Sequence, residues 1–254
     1  DRQRSLEIKP HESLLDALRR ARCFSVKRGC DTGDCGVCTV LLDGAPVRSC
    51  MIPALEAEGK HITTVEGLAE DGMVHPIQQA FIETGAIQCG FCIPALILCT
   101  YALLKANPHP GVEEILRGLS GVLCRCTGYM RVLEAVQRAG SVIRGEEMPK
   151  VENPEIIFQG REDLVPPDRY RRLDGGRQPL PPLVYTPQGM DQLEVVGTAQ
   201  KKVDAAKLAA GKAVFTDDMR LPDMLYGALL TSAHAHSRIK DIDTSKAKEL
   251  AGVH

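Results

Sequence analysis

No apolar stretch in this 254-residue chain reaches the roughly 18–20 residues that a helix needs to cross a bilayer. The nearest, IPALILCTYALL (Ile93–Leu104), is too short and contains a proline. An excess of one charge is also lacking. The net charge is −2, which gives no reason to expect nucleic acid or an anionic membrane as a partner. No signal-peptide pattern is visible, and the opening DRQRSLEI carries no Met, so that reading covers only the residues at hand. The chain is 44% hydrophobic and 25% charged, as expected of a soluble globular protein with a real core, and its length suits two domains or a little more.

The most informative absence is cysteine in the second half. All ten cysteines lie at or before Cys126. A secreted disulfide framework spreads its cysteines through a small loop-rich domain. Here they cluster at short spacings, which favours metal ligation.

Residues from Arg4 to about Asp71 read as α+β. HESLLDALRRA places Leu14, Leu15, Leu18 and Ala21 on one helical face, with Ser13 as its cap. CTVLLDGAPVRSC reads as two short strands joined through Asp43-Gly44, a hairpin signal. HITTVEGL and RSLEI are further expected strands of the same sheet. From His75 the pattern becomes helical. HPIQQAFIETG starts at Pro76 and stops near Gly85, and Pro94 opens a helix, apolar nearly all round, that runs to about Asn107. VEEILRGL and YMRVLEAVQRAGSVIR follow, the latter with Val132, Val136, Ala139 and Ile143 in one stripe.

Within GCDTGDCGVC (Gly29–Cys38), Cys30, Cys35 and Cys38, together with the later Cys50, give C-x4-C-x2-C-x11-C, the plant-type spacing for a 2Fe–2S cluster. Three thiolates must converge from one loop on a very small object, so the backbone has to wrap it closely. Gly33 and Gly36 permit the positive φ angles this needs, and freed amides in such a loop can donate to the sulfurs. The rival is structural zinc, but a zinc ribbon offers two C-x2-C knuckles, and the x4 spacing with paired glycines fits it poorly. A second set, Cys89, Cys92, Cys124 and Cys126, reads C-x2-C-x31-C-x-C. By itself it suits zinc as well as a cluster. Each of its pairs precedes a helix, whose N-terminal amides favour a negatively charged group. Cys23 and Cys99 read as small buried hydrophobes.

Together, GCDTGDCGVC…C and QCGFC…CRCTGY resemble the iron–sulfur module of the molybdenum hydroxylases, the xanthine oxidase and aldehyde oxidoreductase family. The likeness covers about the first 145 residues. It implies a ferredoxin-like β-grasp domain over 1–72 with the distal 2Fe–2S cluster, and a four-helix-type domain over 73–145 with the proximal one. The proximal cluster would neighbour molybdopterin, with Gln88 and Cys126 approaching the pterin. From the residues alone Gln88 reads as a surface amide.

Eight of the sixteen prolines fall between Pro149 and Pro187, so 146–192 reads as a stiffened linker. The basic run RYRRL (Arg169–Leu173) within it reads as a solvated stretch; the sharper alternative is contact with the pterin phosphate or a partner. From about residue 193 a folded pattern returns with LEVVG, KAVFTDDM and a candidate strand MLYGALLTS. His234 and His236 share a strand face, but two histidines alone make a poor metal site. VGTAQKKVDAAKLAAGKAVFTDDM and LYGALLTSAHAHSRIKDIDTSKA resemble the opening of the family's α+β molybdenum domain, over 193–254. The resemblance implies that molybdenum binding and the catalytic glutamate lie in the remainder of the large subunit, outside this sequence. It also implies that FAD sits on a separate flavin subunit, or that another acceptor takes the electrons, in an oligomeric assembly. The expected substrate is an N-heterocycle such as a purine (xanthine, for example), with aldehydes as the alternative. A free-standing ferredoxin-like carrier is the rival from another class, and the segment after Glu194 argues against it.

Overall fold

The computed structural model describes residues 3, 5–69, 73–146 and 200–254. The stretch LEVVG, the run Arg169–Leu173 and nearly all of the proline-rich segment lie outside the described residues. The chain divides into two units, Asp1–Phe215 and Thr216–His254.

The first unit opens with α1 (Leu14–Arg20). Ser13 caps it in a reciprocal box: Ser13 Oγ accepts from the Asp16 N–H at 3.2 Å, and Asp16 Oδ2 accepts from the Ser13 N–H at 3.2 Å. A sheet in the order β2-β1-β3 follows, formed by β1 (Thr39–Leu42), β2 (Ala45–Arg48) and β3 (Ile62–Thr63), antiparallel throughout. The β1–β2 turn has φ +51° at Asp43 and +86° at Gly44, the paired positive angles of a tight hairpin.

Successive residues of a strand face opposite ways, and β1 uses both faces. Val40, fully buried, packs with Leu14, Leu15, Leu18, Val26 and Cys38 in a small core. Leu41, 1% exposed, points instead into the large core made by the helices.

Those helices are α2 (Pro76–Glu83), α3 (Ile93–Ala106), α4 (Val112–Leu119) and α5 (Met130–Ile143). α3 is buried over its first eight residues, Ile93–Thr100. Each such Ile or Leu contributes about 1.5–3 kcal/mol of burial. α5 packs on α2 through Val132, Val136 and Ala139, and Arg138 Nη2 reaches Glu83 Oε2 across the pair at 2.7 Å. Ile143, the expected fourth member of the stripe, is 46% exposed because the helix ends there. A short helix, α6 (Ala205–Ala209), packs on α2 and α3.

Three expected strands turn out differently. Residues 5–9 form none: β2 and β3 already flank β1, and Arg20 holds this segment instead by donating to the Glu7 carbonyl and the Glu12 carboxylate. HITTVEGL is strand only at Ile62–Thr63. It then coils into a 3-10 turn, Val65–Leu68, which sends Val65 and Leu68 into the helical core. MLYGALLTS, in the second unit, forms no strand. Its Leu225, Leu229 and Leu230 are 67, 94 and 87% exposed. A strand needs neighbours for its backbone groups, and among the described residues this unit supplies none. Its regular elements are a turn at Thr216–Asp218 and α7 (Ser245–Lys248). No helix among the described residues is long and apolar enough to cross a membrane.

Candidate metal centres

The loop Gly29–Cys38 is shaped by its glycines. Gly33 and Gly36 have φ of +82° and +67°. A Cβ on Gly33 would lie 2.7 Å from Met51 Sδ, and one on Gly36 only 1.8 Å from the Gly121 carbonyl oxygen. With no side chains in the way, the loop folds back so that the Cys35 N–H donates to Cys30 Sγ at 3.5 Å. That amide, with the hydroxyl and amide of Thr32, lowers the Cys30 thiol to about 6. Cys35, by contrast, is raised by burial.

Cys50 is brought in by the hairpin. Thr39 pairs with Arg48, so Cys38 and Ser49 meet at its open end. The buried Ser49 donates from its hydroxyl to the Cys38 carbonyl at 2.7 Å. The Cys50 thiol then lies in hydrogen-bonding reach of Cys38, and burial followed by Cys38 raises it to about 12. The structure thus sets the four thiols of the first set in two pairs, Cys30 with Cys35 and Cys38 with Cys50.

The second set is assembled by helix packing. Cys92 is the N-cap of α3, while Cys124 and Cys126 precede α5. Cys126 Sγ lies 3.6 Å from Cys89 Sγ, both exposed, and Cys92 is in hydrogen-bonding reach of Cys124. Burial pushes the Cys92 thiol up strongly, and Cys124 adds to it. Burial alone would raise Cys124 too. The Thr127 hydroxyl, 3.1 Å from its sulfur, and the Cys126 and Thr127 amides outweigh burial and lower it. Cys126 is raised, chiefly by its hydrogen bond with Cys89. Gln88 is exposed beside Cys89.

Two contributions escape a reading by spacing. Tyr129, at φ +65°, braces the Cys124 loop: its hydroxyl accepts from the Cys124 N–H and donates to the Val122 carbonyl, both at 2.8 Å. The motif CRCTGY contains the residue, but only the fold shows where its hydroxyl goes. The two thiol loops are also stitched together, because the Leu123 N–H donates to the Cys35 carbonyl at 2.9 Å beside the Gly36–Gly121 contact.

A single tetrahedral ion needs three or four donors around one point. Among the described residues no three His, Cys, Asp or Glu side chains gather that way. The eight thiols instead group in twos, which fits a two-iron cluster with two thiolates per iron better than zinc. Cys30 Sγ also accepts from the Cys35 amide, and Cys124 Sγ lies 3.1 Å from the Thr127 hydroxyl, contacts of the kind that tune sulfur-ligated iron. His234 and His236 are both exposed and join no ligand group among the described residues. Cys99 is buried in the helical core, which raises its thiol to about 11, and Cys23 lies half-buried against the small core.

Three family models match the chain. They are a 2Fe–2S iron–sulfur cluster binding domain over residues 1–69, a [2Fe–2S] binding domain over 64–137, and the aldehyde oxidase and xanthine dehydrogenase a/b hammerhead domain over 210–254. The nicotinate dehydrogenase small FeS subunit of Eubacterium barkeri is 49% identical over 137 residues, covering 54% of this chain and 87% of that one. The aldehyde oxidoreductase of Megalodesulfovibrio gigas is 33% identical over 257 residues, covering 99% of this chain but 25% of that protein. The crystal structure of the aldehyde oxidoreductase from Desulfovibrio desulfuricans superposes with a TM-score of 0.64 at 32% identity, over 85% of this chain and 20% of that one. Against these two enzymes the chain spans a quarter of the length or less.

Proposed function

The chain belongs to the molybdenum hydroxylase family of xanthine dehydrogenases and aldehyde oxidoreductases, as an electron-transfer iron–sulfur portion of such an oxidoreductase, and from that premise we propose which residues carry its electrons. Cys30, Cys35, Cys38 and Cys50 hold the distal 2Fe–2S cluster, and Cys89, Cys92, Cys124 and Cys126 the proximal one. Each bound cluster would supply a site that takes up and releases a single electron. The rest of the work belongs to the protein. The Cys35 amide and the Thr127 hydroxyl are placed to favour anionic sulfur at Cys30 and Cys124. The Leu123 N–H holds the loop of one set against the carbonyl of Cys35 in the other, which keeps the two centres at a fixed separation. The observation that carries this reading is the two-by-two grouping of eight thiols in two sets joined by that hydrogen bond.

Domain limits of 1–72, 73–145, 146–192 and 193–254 belong to the same proposal. Gln88 and Cys126 face outward, and this supports their contact with molybdopterin held by the remainder of the large subunit. FAD on a separate subunit, an oligomeric assembly and a cytoplasmic setting complete the proposal. The proposed substrate is an N-heterocycle of the purine type. Oxidation of an aldehyde is the second reading, favoured by the match to an aldehyde oxidoreductase along 99% of the chain.

The test is to purify the full-length enzyme and follow reduction of an artificial acceptor with xanthine and with benzaldehyde. Turnover with xanthine supports the first reading, and turnover with benzaldehyde alone replaces it with the second. Metal analysis showing zinc without iron would sink both.

A further inference from the structure

Within residues 203–215, a group of side chains packs into the iron–sulfur module. Ala205, Leu208 and Ala209 are 2, 3 and 0% exposed and belong to the same core as α2 and α3. Two glycines allow the close approach. A Cβ on Gly90 would lie 2.3 Å from Leu208 Cδ2, and one on Gly211 would lie 2.6 Å from Val65 Cγ1 and 2.7 Å from Ser25 Cβ. Both have positive φ, +85° and +71°, so neither position takes a side chain without strain.

Polar groups fix the register. Gln78, fully buried, donates through Nε2 to the Val65 carbonyl at 3.2 Å and to the Ala209 carbonyl at 3.1 Å. Its amide therefore bridges the module and the segment, and an unmatched amide there would be costly. Phe215 completes the contact. Its ring meets Phe91 edge-on at 5.4 Å, and the ammonium of the buried Lys27 lies 4.4 Å from the Phe215 centroid and 6.0 Å from that of Phe91. Sliding the segment by one residue would take Leu208 off Gly90, Gly211 off Val65 and the Ala209 carbonyl off Gln78 together.

We infer that residues 203–215 are a docking segment that anchors whatever follows them to the iron–sulfur module by non-covalent contact, independently of the covalent connection through 147–199. The segment covers Gly90 and Phe91, which lie between Cys89 and Cys92. Its seating therefore also shields one side of that thiol loop from water. This second part rests on the proposed cluster assignment, whereas the first does not.

A specific protease site inserted within 147–199 of the iron-loaded full chain tests both parts. After cutting, the two pieces are expected to co-elute in size exclusion at micromolar concentration with two EPR signals unchanged; separation of the pieces overturns the docking role. Leu208→Glu places a charge in the groove and is expected to weaken the cut complex by about a hundredfold, so that the pieces separate. Both EPR signals persisting in that variant report an intact module. Co-elution of cut Leu208→Glu protein as tightly as the parent would show that the anchor lies elsewhere. If that variant loses its folded module, Phe215→Leu decides, with an expected weakening of several-fold and no change in association as the contrary result. On release, one EPR signal should shift while the other stays; two unchanged signals refute the shielding. A protein without iron would refute the cluster assignment while leaving the co-elution result to stand.

Discussion

The two thiol sets are built by opposite means. In the first, three of four cysteines come from ten consecutive residues, and positive φ at Gly33 and Gly36 bends that stretch around a point. The second joins two segments 31 residues apart, and they meet because the apolar faces of α3 and α5 share one core. The first is local geometry with a hairpin closing it. The second is a product of packing. Exposure follows the same division: the first set is buried or half-buried throughout, whereas Cys89 and Cys126 of the second lie open at the surface.

The largest test of this contrast is Cys126→Ser. Iron should fall from about four to about two atoms per chain, with one EPR signal lost and the other kept. Retention of both signals would break the ligand assignment. Next comes Gly36→Ala, which sets an added Cβ against the Gly121 carbonyl at 1.8 Å on a backbone of φ +67°. Because that contact joins the two loops, unfolding stability should fall by about 3 kcal/mol or more, with both centres disturbed. Gly44→Ala is its control, since that hairpin glycine has φ +86° with nothing within 4 Å. It should cost only about 1 kcal/mol in the same chemical denaturation experiment. Equal losses at the two glycines would show that loop contact contributes nothing. A smaller effect than that of Gly36→Ala is expected from Tyr129→Phe, which strips the bracing hydroxyl from the Cys124 N–H and the Val122 carbonyl. A loss of about 1–2 kcal/mol, with a shifted signal from the second centre alone, is the expected outcome. A shift in the first centre would mean that the Leu123–Cys35 bond transmits the strain.

How far each element was legible follows its range of interaction. α1 announced itself through Ser13 and its leucines, and the hairpin through Asp43-Gly44, because caps and tight turns are decided within four residues. Val65 and Leu68 look like a continuing strand and coil into the helical core instead, since a short apolar run carries no period of its own. MLYGALLTS has strand composition but no neighbouring strand among the described residues. The role of the Tyr129 hydroxyl and the Leu123–Cys35 bond leave no mark in composition or spacing, because each is set by where distant backbone arrives.

By itself, the sequence determined the donor chemistry: thiols at plant-type spacing, and glycines where a loop must bend around them, since both depend on residues a few positions apart. Only the tertiary structure decided which thiols pair, how the two loops are joined, and that residues 203–215 belong to the iron–sulfur core. Those outcomes depend on surfaces that no local segment carries: burial of apolar faces brings far-apart residues together, and the hydrogen bonds form once they meet.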